Sequence, residues 1–312
     1  MKKTSQWRCC RNVDVDSTAA FRVGRMISRV FLLAAFCMGA AALSICDSAA
    51  ADRARGQYLV EALGACDNCH TPRGPGGYEY AARFSGGSQT FSGNGYAVRG
   101  SNISPDKETG VGGWSDEALG AAIVAGVGRD GQLAPVMPSD SYRALTKDDL
   151  DAIISFLRAA APVRTQPAQP PQRHGEWAPH PLPGAEAPFD DAALSNKIKR
   201  GLYVASIARC LSCHSGEKDD APDHVNRLGA GGKIFRTPGG VAIASNISAH
   251  QEKGLGAWSS EEIARAITQG VSRNGDPLKP PMSTLAKAHF AKMSTEDLDA
   301  LVAYLRTIPP KE

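Results

Sequence analysis

The chain has 312 residues, enough for about two domains. Hydrophobic residues at 42% and charged ones at 21% exclude a disordered chain. A formal net charge of +3 excludes the strongly basic face that a nucleic-acid binder needs.

The N-terminus reads first. Lys2, Lys3, Arg8, Arg11, Arg22, Arg25 and Arg29 precede an apolar run, Val30–Ile45, and Ala49-Ala50-Ala51 follows. A basic region, an apolar core and an A-x-A site are the parts of a secretory signal, so residues 1–51 are predicted to be removed on export. The alternatives are an uncleaved anchor and a lipid on Cys46. The sixteen-residue run is short of the ~20 residues that span a bilayer. Ile45 is too large for a usual lipoprotein cleavage site. Met26 is a candidate for the true start. Seven basic and three acidic residues leave with the signal, so residues 52–312 carry a net charge of −1. They hold no further apolar stretch of spanning length, which predicts a soluble or peripherally membrane-associated chain.

Four of the eight cysteines remain, and all sit in two copies of one motif. A first helix over about Arg53–Leu63 leads into Cys66-Asp67-Asn68-Cys69-His70. C-x-x-C-H reads as covalent attachment of c-type haem. Two thiols three positions apart on a helical turn reach the two vinyl groups, and the adjacent His becomes the proximal iron ligand. A thioredoxin-like pair needs no His directly after it, a Cys₂His₂ zinc site needs two distant His, and a two-disulfide framework suits an exported chain. The doubled motif favours haem over all three. In bacteria this attachment is periplasmic, which agrees with the export signal.

Gly74, Gly76, Gly77, Gly86 and Gly87 follow in a loop region that lacks the Gly-Lys-Ser/Thr ending of a phosphate loop. A middle helix starts at Ser115, with Asp116 and Glu117 in its first turn. A closing helix is predicted over Lys147–Arg158, capped by Thr146. Residues 161–192 form a linker, with eight Pro between Ala161 and Pro188, expected to be extended. His174 and His180 in it are expected to be surface residues.

The second half repeats the first. Arg55-Gly56 returns as Arg200-Gly201, and Cys210-Leu211-Ser212-Cys213-His214 follows a helix over about Asn196–Ala208. Ser101-Asn102-Ile103-Ser104 recurs as Ser245-Asn246-Ile247-Ser248, and Trp114-Ser115 as Trp258-Ser259. Ser259 and Glu262 form a capping box. The last helix is predicted over Glu296–Arg306, capped by Thr295, with Leu298, Leu301, Val302 and Leu305 on its apolar face. The repeat predicts an all-α chain of two tandem domains, 52–160 and 193–312, each mainly three helices around one haem.

The distal iron ligand separates carrier from enzyme. After residue 51 the chain has three Met. Met137, in Ala134-Pro135-Val136-Met137-Pro138, and Met282, in Pro280-Pro281-Met282-Ser283, lie 67 and 68 residues after their His. Pro beside Met stiffens a loop that can present the thioether, and the soft sulfur favours Fe(II). Met293 has no counterpart and is assigned to packing. The expected metal ligands are therefore His70, Met137, His214 and Met282, with Cys66, Cys69, Cys210 and Cys213 holding two haem c groups. Two six-coordinate irons favour electron transfer over catalysis, so the chain is not expected to be an enzyme on its own. Asn102, Asn246, Trp114, Trp258, Arg73, Arg99 and Arg236 are candidates for contacts with haem propionates.

The stretches Arg55–Pro72, Ser101–Glu117, Gly126–Tyr142 and Thr146–Arg158, with their copies, resemble the multihaem cytochrome c subunits of bacterial periplasmic, membrane-associated dehydrogenases. These partner flavin or molybdenum enzymes that oxidise alcohols, sugar acids, aldehydes or N-heterocycles. The resemblance implies class I cytochrome c domains with His70/Met137 and His214/Met282 ligation. It also implies electron delivery from a dehydrogenase catalytic subunit to a respiratory acceptor, quinone or a terminal oxidase. Many such subunits carry three haem domains, whereas two are read here, which puts quinone reduction and membrane docking in question. The competing readings are a free two-haem shuttle and a two-haem peroxidase or thiosulfate dehydrogenase, which needs a displaceable distal ligand.

Overall fold

Two glycines set the frame. A Cβ on Gly56 would stand 2.0 Å from the Ala152 carbonyl oxygen, and one on Gly201 would stand 2.0 Å from that of Ala300. At each crossing a first helix therefore lies directly on the backbone of a closing helix, an approach only glycine allows. The computed structural model describes residues 50–166, 172–174, 177–237 and 240–312. All but the last two residues of the predicted signal, with Cys9, Cys10, Cys37 and Cys46, lie outside the described residues.

In the first half, α1 spans 50–58 and continues as a π-helical turn, Leu59–Leu63. The motif turn α2 (Asp67–His70) follows, then the short pair β1 (Arg73–Gly74) and β2 (Gly77–Tyr78), and the hairpin β3 (Thr90–Gly93) and β4 (Tyr96–Arg99). After these come α3 (Asp116–Ala125), β5 (Val127–Gly128), β6 (Gly131–Gln132), α4 (Ser139–Tyr142) and α5 (Lys147–Arg158). The connecting segment holds β7 (Gln172–Arg173) and α6 (Asp191–Leu194). The second half repeats the order with α7 (Lys197–Ile207), α8 (Cys210–His214), β8 (Glu217–Lys218), β9 (Ala221–Pro222), β10 (Ile234–Thr237), β11 (Gly240–Ile243), α9 (Ser260–Gln269), α10 (Met282–Ala288) and α11 (Thr295–Leu305).

The helix-rich architecture agrees with the expectation, but the loops are not purely irregular. They form antiparallel pairs of two to four residues, turned by Gly in the first half and by Asp219-Asp220 between β8 and β9. The two hairpins share one register: Thr90 faces Arg99 as Ile234 faces Ile243. Helix ends follow local chemistry. Ser115 accepts from the Ala118 amide, and α3 stops at Gly126 in the left-handed region. Ser259 and Glu262 make the predicted capping box, and α9 stops at Gly270. Thr146 caps α5 as expected. The cap of α11 is Ser294, which accepts from the Asp297 amide, one residue before the expected Thr295.

The described parts of the Pro-rich segment, 161–166, 172–174 and 177–190, carry no helix, but they are not a free spacer. β7 pairs with β4, the Val163 carbonyl accepts from Asn102 Nδ2 at 2.7 Å, and Leu182 and Ala185 are buried in the core. His174 and His180 are exposed.

The two halves interlock. Tyr58 of α1 donates to Asp297 of α11 at 2.6 Å, and Tyr203 of α7 donates to Asp149 of α5. Each carboxylate also holds an arginine of its own half, Arg200 on Asp297 and Arg55 on Asp149. The described residues form a single packed unit around one continuous core that includes Leu59, Leu63, Leu157, Tyr203, Ile207, Leu301 and Leu305. Among the described residues no helix is long and apolar enough to cross a membrane.

Candidate functional site

Both motif turns are built alike. The His70 amide donates to the Cys66 carbonyl at 2.9 Å, which closes one helical turn over the motif. The Gly86 amide bonds the His70 carbonyl at 3.0 Å, and the Gly231 amide bonds the His214 carbonyl at 2.7 Å. A Cβ on Gly87 or Gly100 would stand 2.1 or 1.8 Å from the Cys69 carbonyl oxygen. The Gly-rich loop is thus a backbone clamp on the attachment turn, which explains its composition without a phosphate.

The two imidazoles are oriented identically. His70 Nδ1–H donates to the Ser101 carbonyl at 2.7 Å and His214 Nδ1–H to the Ser245 carbonyl at 2.8 Å, each 31 residues away. This fixes the tautomer and leaves Nε2 as the lone-pair donor. Burial holds both histidines below their ordinary pKa, only partly opposed by the serine carbonyls, so both imidazoles are neutral at pH 7. Burial also pushes the Cys66 and Cys210 thiols up to about 12, which keeps them protonated.

This donor set fits haem c: two thiols and one Nε2 on a single turn, twice over. It does not fit zinc, since among the described residues no three His, Cys, Asp or Glu side chains are grouped to hold a metal ion. Cys66, Cys69, Cys210 and Cys213 are free thiols in the structure.

Met137 and Met282 are partly buried against the same core as Cys66 and Cys210. Met137 precedes α4, whose Tyr142 hydroxyl donates to the Gly64 carbonyl at 3.0 Å, two residues before Cys66. Met282 opens α10. Met293 is buried in the core, as expected for a packing residue.

Most of the propionate candidates have partners within the protein. Asn102 and Asn246 spend their amide donors on the Val163 and Lys311 carbonyls, where they fasten the chain beyond each closing helix. Trp114 lies under the Arg129 guanidinium, and the backbone carbonyls of Trp114 and Trp258 accept from Arg158 and Arg306. Arg99 bonds Thr90 on an exposed hairpin, and Arg236 is exposed on β10. Arg73 alone turns inward, onto Asn68 and the Tyr78 hydroxyl, with its Nε buried and unpaired.

Sequence reasoning missed three features. Asp67, 2% exposed, is a buried charge inside the first motif, held by Arg83 through bonds of 2.9 and 2.6 Å. His289, at the end of α10, donates from Nδ1 to the Glu61 carbonyl and accepts from Tyr78 at Nε2, both at 2.8 Å. Arg209 lies between the two motif turns. The mismatches Asp67/Leu211 and Ala65/Arg209 at aligned positions were the available signal.

Residues 198–309 match the cytochrome c family. The chain is 26% identical over 268 residues to the fructose dehydrogenase cytochrome subunit of Gluconobacter japonicus, covering 82% of this chain and 52% of that one. It is 27% identical over 279 residues to the gluconate 2-dehydrogenase cytochrome c subunit of Pantoea cypripedii, covering 83% and 60%. A "diheme cytochrome c-type" protein of Cereibacter sphaeroides is 27% identical over 273 residues, covering 84% and 87%. The chain thus spans little more than half the length of the dehydrogenase subunits it matches. Residues 198–309 are a cytochrome c domain, and the chain is a homologue of the cytochrome c subunits of dehydrogenases.

Proposed function

We propose that this chain is a periplasmic di-haem cytochrome c, the electron-transfer subunit of a flavin- or molybdenum-dependent dehydrogenase, passing electrons to quinone or a terminal oxidase. The observation that carries the reading is the matched pair of anchored histidines. Two motif turns present the same tautomer through the same serine carbonyl, and in the second half this geometry lies within the cytochrome c match.

Cys66 and Cys69 would hold one haem and Cys210 and Cys213 the other. His70 and His214 would supply the proximal nitrogens, Met137 and Met282 the distal sulfurs. Bound haem supplies one-electron chemistry at iron. The chain's own groups do the rest. Ser101 and Ser245 keep the imidazoles in one tautomer and raise their basicity as ligands. Apolar core residues pack around Cys66, Cys210 and the two Met. The interlocked halves hold the two attachment turns at a fixed separation. An N-terminal signal at 1–51 and two tandem domains belong to the same reading.

The test is purification of the native protein from periplasm and solubilised membranes, with haem quantified per chain. Two haems and a stoichiometric dehydrogenase whose substrate reduces both establish the reading. A lone two-haem protein reduced only by other cytochromes transfers the assignment to a free shuttle. The Cereibacter sphaeroides relative, named as a diheme cytochrome, supports the count of two haems under either reading.

A further inference from the structure

Arg209 stands where the first half has Ala65, each directly before the first cysteine of its motif. Both residues have positive φ, 48° at Ala65 and 58° at Arg209. The left-handed region is unfavourable for a non-glycine residue, so the kink that turns α7 into α8 is held by its surroundings. Those surroundings belong to the other half. Ser206 of α7 donates to the Ser141 carbonyl of α4 at 2.9 Å. The next residue of α4, Tyr142, bonds the Gly64 carbonyl beside Cys66. The C-terminal end of α7 is therefore docked onto the first attachment turn. Arg209 accordingly interacts electrostatically with Cys66, Cys69 and Tyr142 of the first half and with Cys213 of its own.

None of these neighbours is an acid. Among the described residues Arg209 has no salt bridge and no side-chain hydrogen bond, whereas Arg55, Arg83 and Arg200 each grip a carboxylate. Arg209 is a partly buried, permanently charged cation placed where the two attachment turns meet and left without a protein counter-ion.

We infer that Arg209 is a shared electrostatic positioning residue whose single positive charge favours the reduced state at both attachment sites. The inference rests on reading both motifs as haem sites. Reduction of either iron adds one electron, supplied by the donor protein or by dithionite in a titration, and no bond forms or breaks. A cation placed between the two attachment turns favours that added negative charge at each site. Because the aligned position holds Ala65, this one cation acts on both sites.

The experiment is spectroelectrochemical titration of the full two-haem protein, with haem per chain measured on every variant. Arg209→Gln is expected to keep two haems and to lower both midpoint potentials. Arg209→Lys stays close to wild type, and the exposed surface change Arg164→Gln moves neither. Ala65→Arg, which adds a second cation at the aligned position, raises the potentials and is read independently should Arg209→Gln fail to fold. Unmoved potentials in Arg209→Gln, or a shift at one haem only, overturn the shared role, as do unmoved potentials in Ala65→Arg. A wild-type protein with fewer than two haems overturns the attachment reading instead.

Discussion

Tyr58 reaches across the boundary between the two halves and donates to Asp297 at 2.6 Å, while Tyr203 makes the reverse crossing to Asp149. Both carboxylates are almost fully buried. Burial, with Asp297 as acceptor, raises the Tyr58 hydroxyl to about 12, so the donor keeps its proton across the working pH range. A hydrogen bond to a buried charge contributes about 2 kcal/mol. Tyr58→Phe and Tyr203→Phe are each expected to lower stability by about that much, read as a lower denaturant midpoint with unchanged haem content.

The glycine crossings carry a larger penalty. Gly56→Ala and Gly201→Ala each drive a methyl into a backbone carbonyl. The closing helix must move away from its partner, at a cost of about 3 kcal/mol. Thermal unfolding of the purified variants measures this. Gly76→Ala, whose Cβ meets nothing within 4 Å, is the control and is expected to be near neutral.

The distal ligands are read with carbon monoxide. Met137→Ala and Met282→Ala are each expected to open one iron, giving a carbon monoxide spectrum that accounts for half of the total haem. Wild type binds none at either site. Met293→Leu changes packing only and leaves the spectrum closed. Carbon monoxide binding at both sites of the wild type would refute the ligand assignment.

His289 predicts an acid-sensitive stability. Burial holds its pKa below 6.5, against the Glu61 carbonyl bond and Asp67, which raise it, while Lys292 and Arg73 lower it further. As pH falls below 6.5 the unfolded chain takes up a proton that the folded chain refuses. The stabilisation from neutral His289 is therefore complete above that range and is lost below it. Denaturant midpoints of the haem-loaded protein are expected to fall between pH 7 and pH 5, and to fall less in His289→Gln.

Much of this was legible in the chain. The two C-x-x-C-H turns, the closing helices and the caps Ser115, Thr146 and Ser259 follow from spacing and local hydrogen bonding, and α5 has its predicted bounds. What periodicity cannot carry is contact between distant segments. Gly56 and Gly201 were visible as a repeat, but the reason for glycine is a carbonyl about a hundred residues away. Asn102 and Asn246 read as polar residues near a cofactor because a side chain's partner cannot be deduced from its neighbours in sequence. The Ser294 cap lay one residue from an equally good candidate, Thr295, and only the geometry chooses.

The reciprocal tyrosine contacts have the form of a dimer interface about a two-fold axis, in which residue i of one copy meets residue j of the other and the reverse. In a true homodimer every substitution appears twice, so the interface stays electrically symmetric. A single polypeptide is free of that constraint. Arg209 against Ala65, and Asp67 against Leu211, are differences that two identical subunits could never hold. They leave two halves of matching backbone with different chemistry: the buried carboxylate of Asp67 belongs to one half alone, and the cation of Arg209 is supplied by the other.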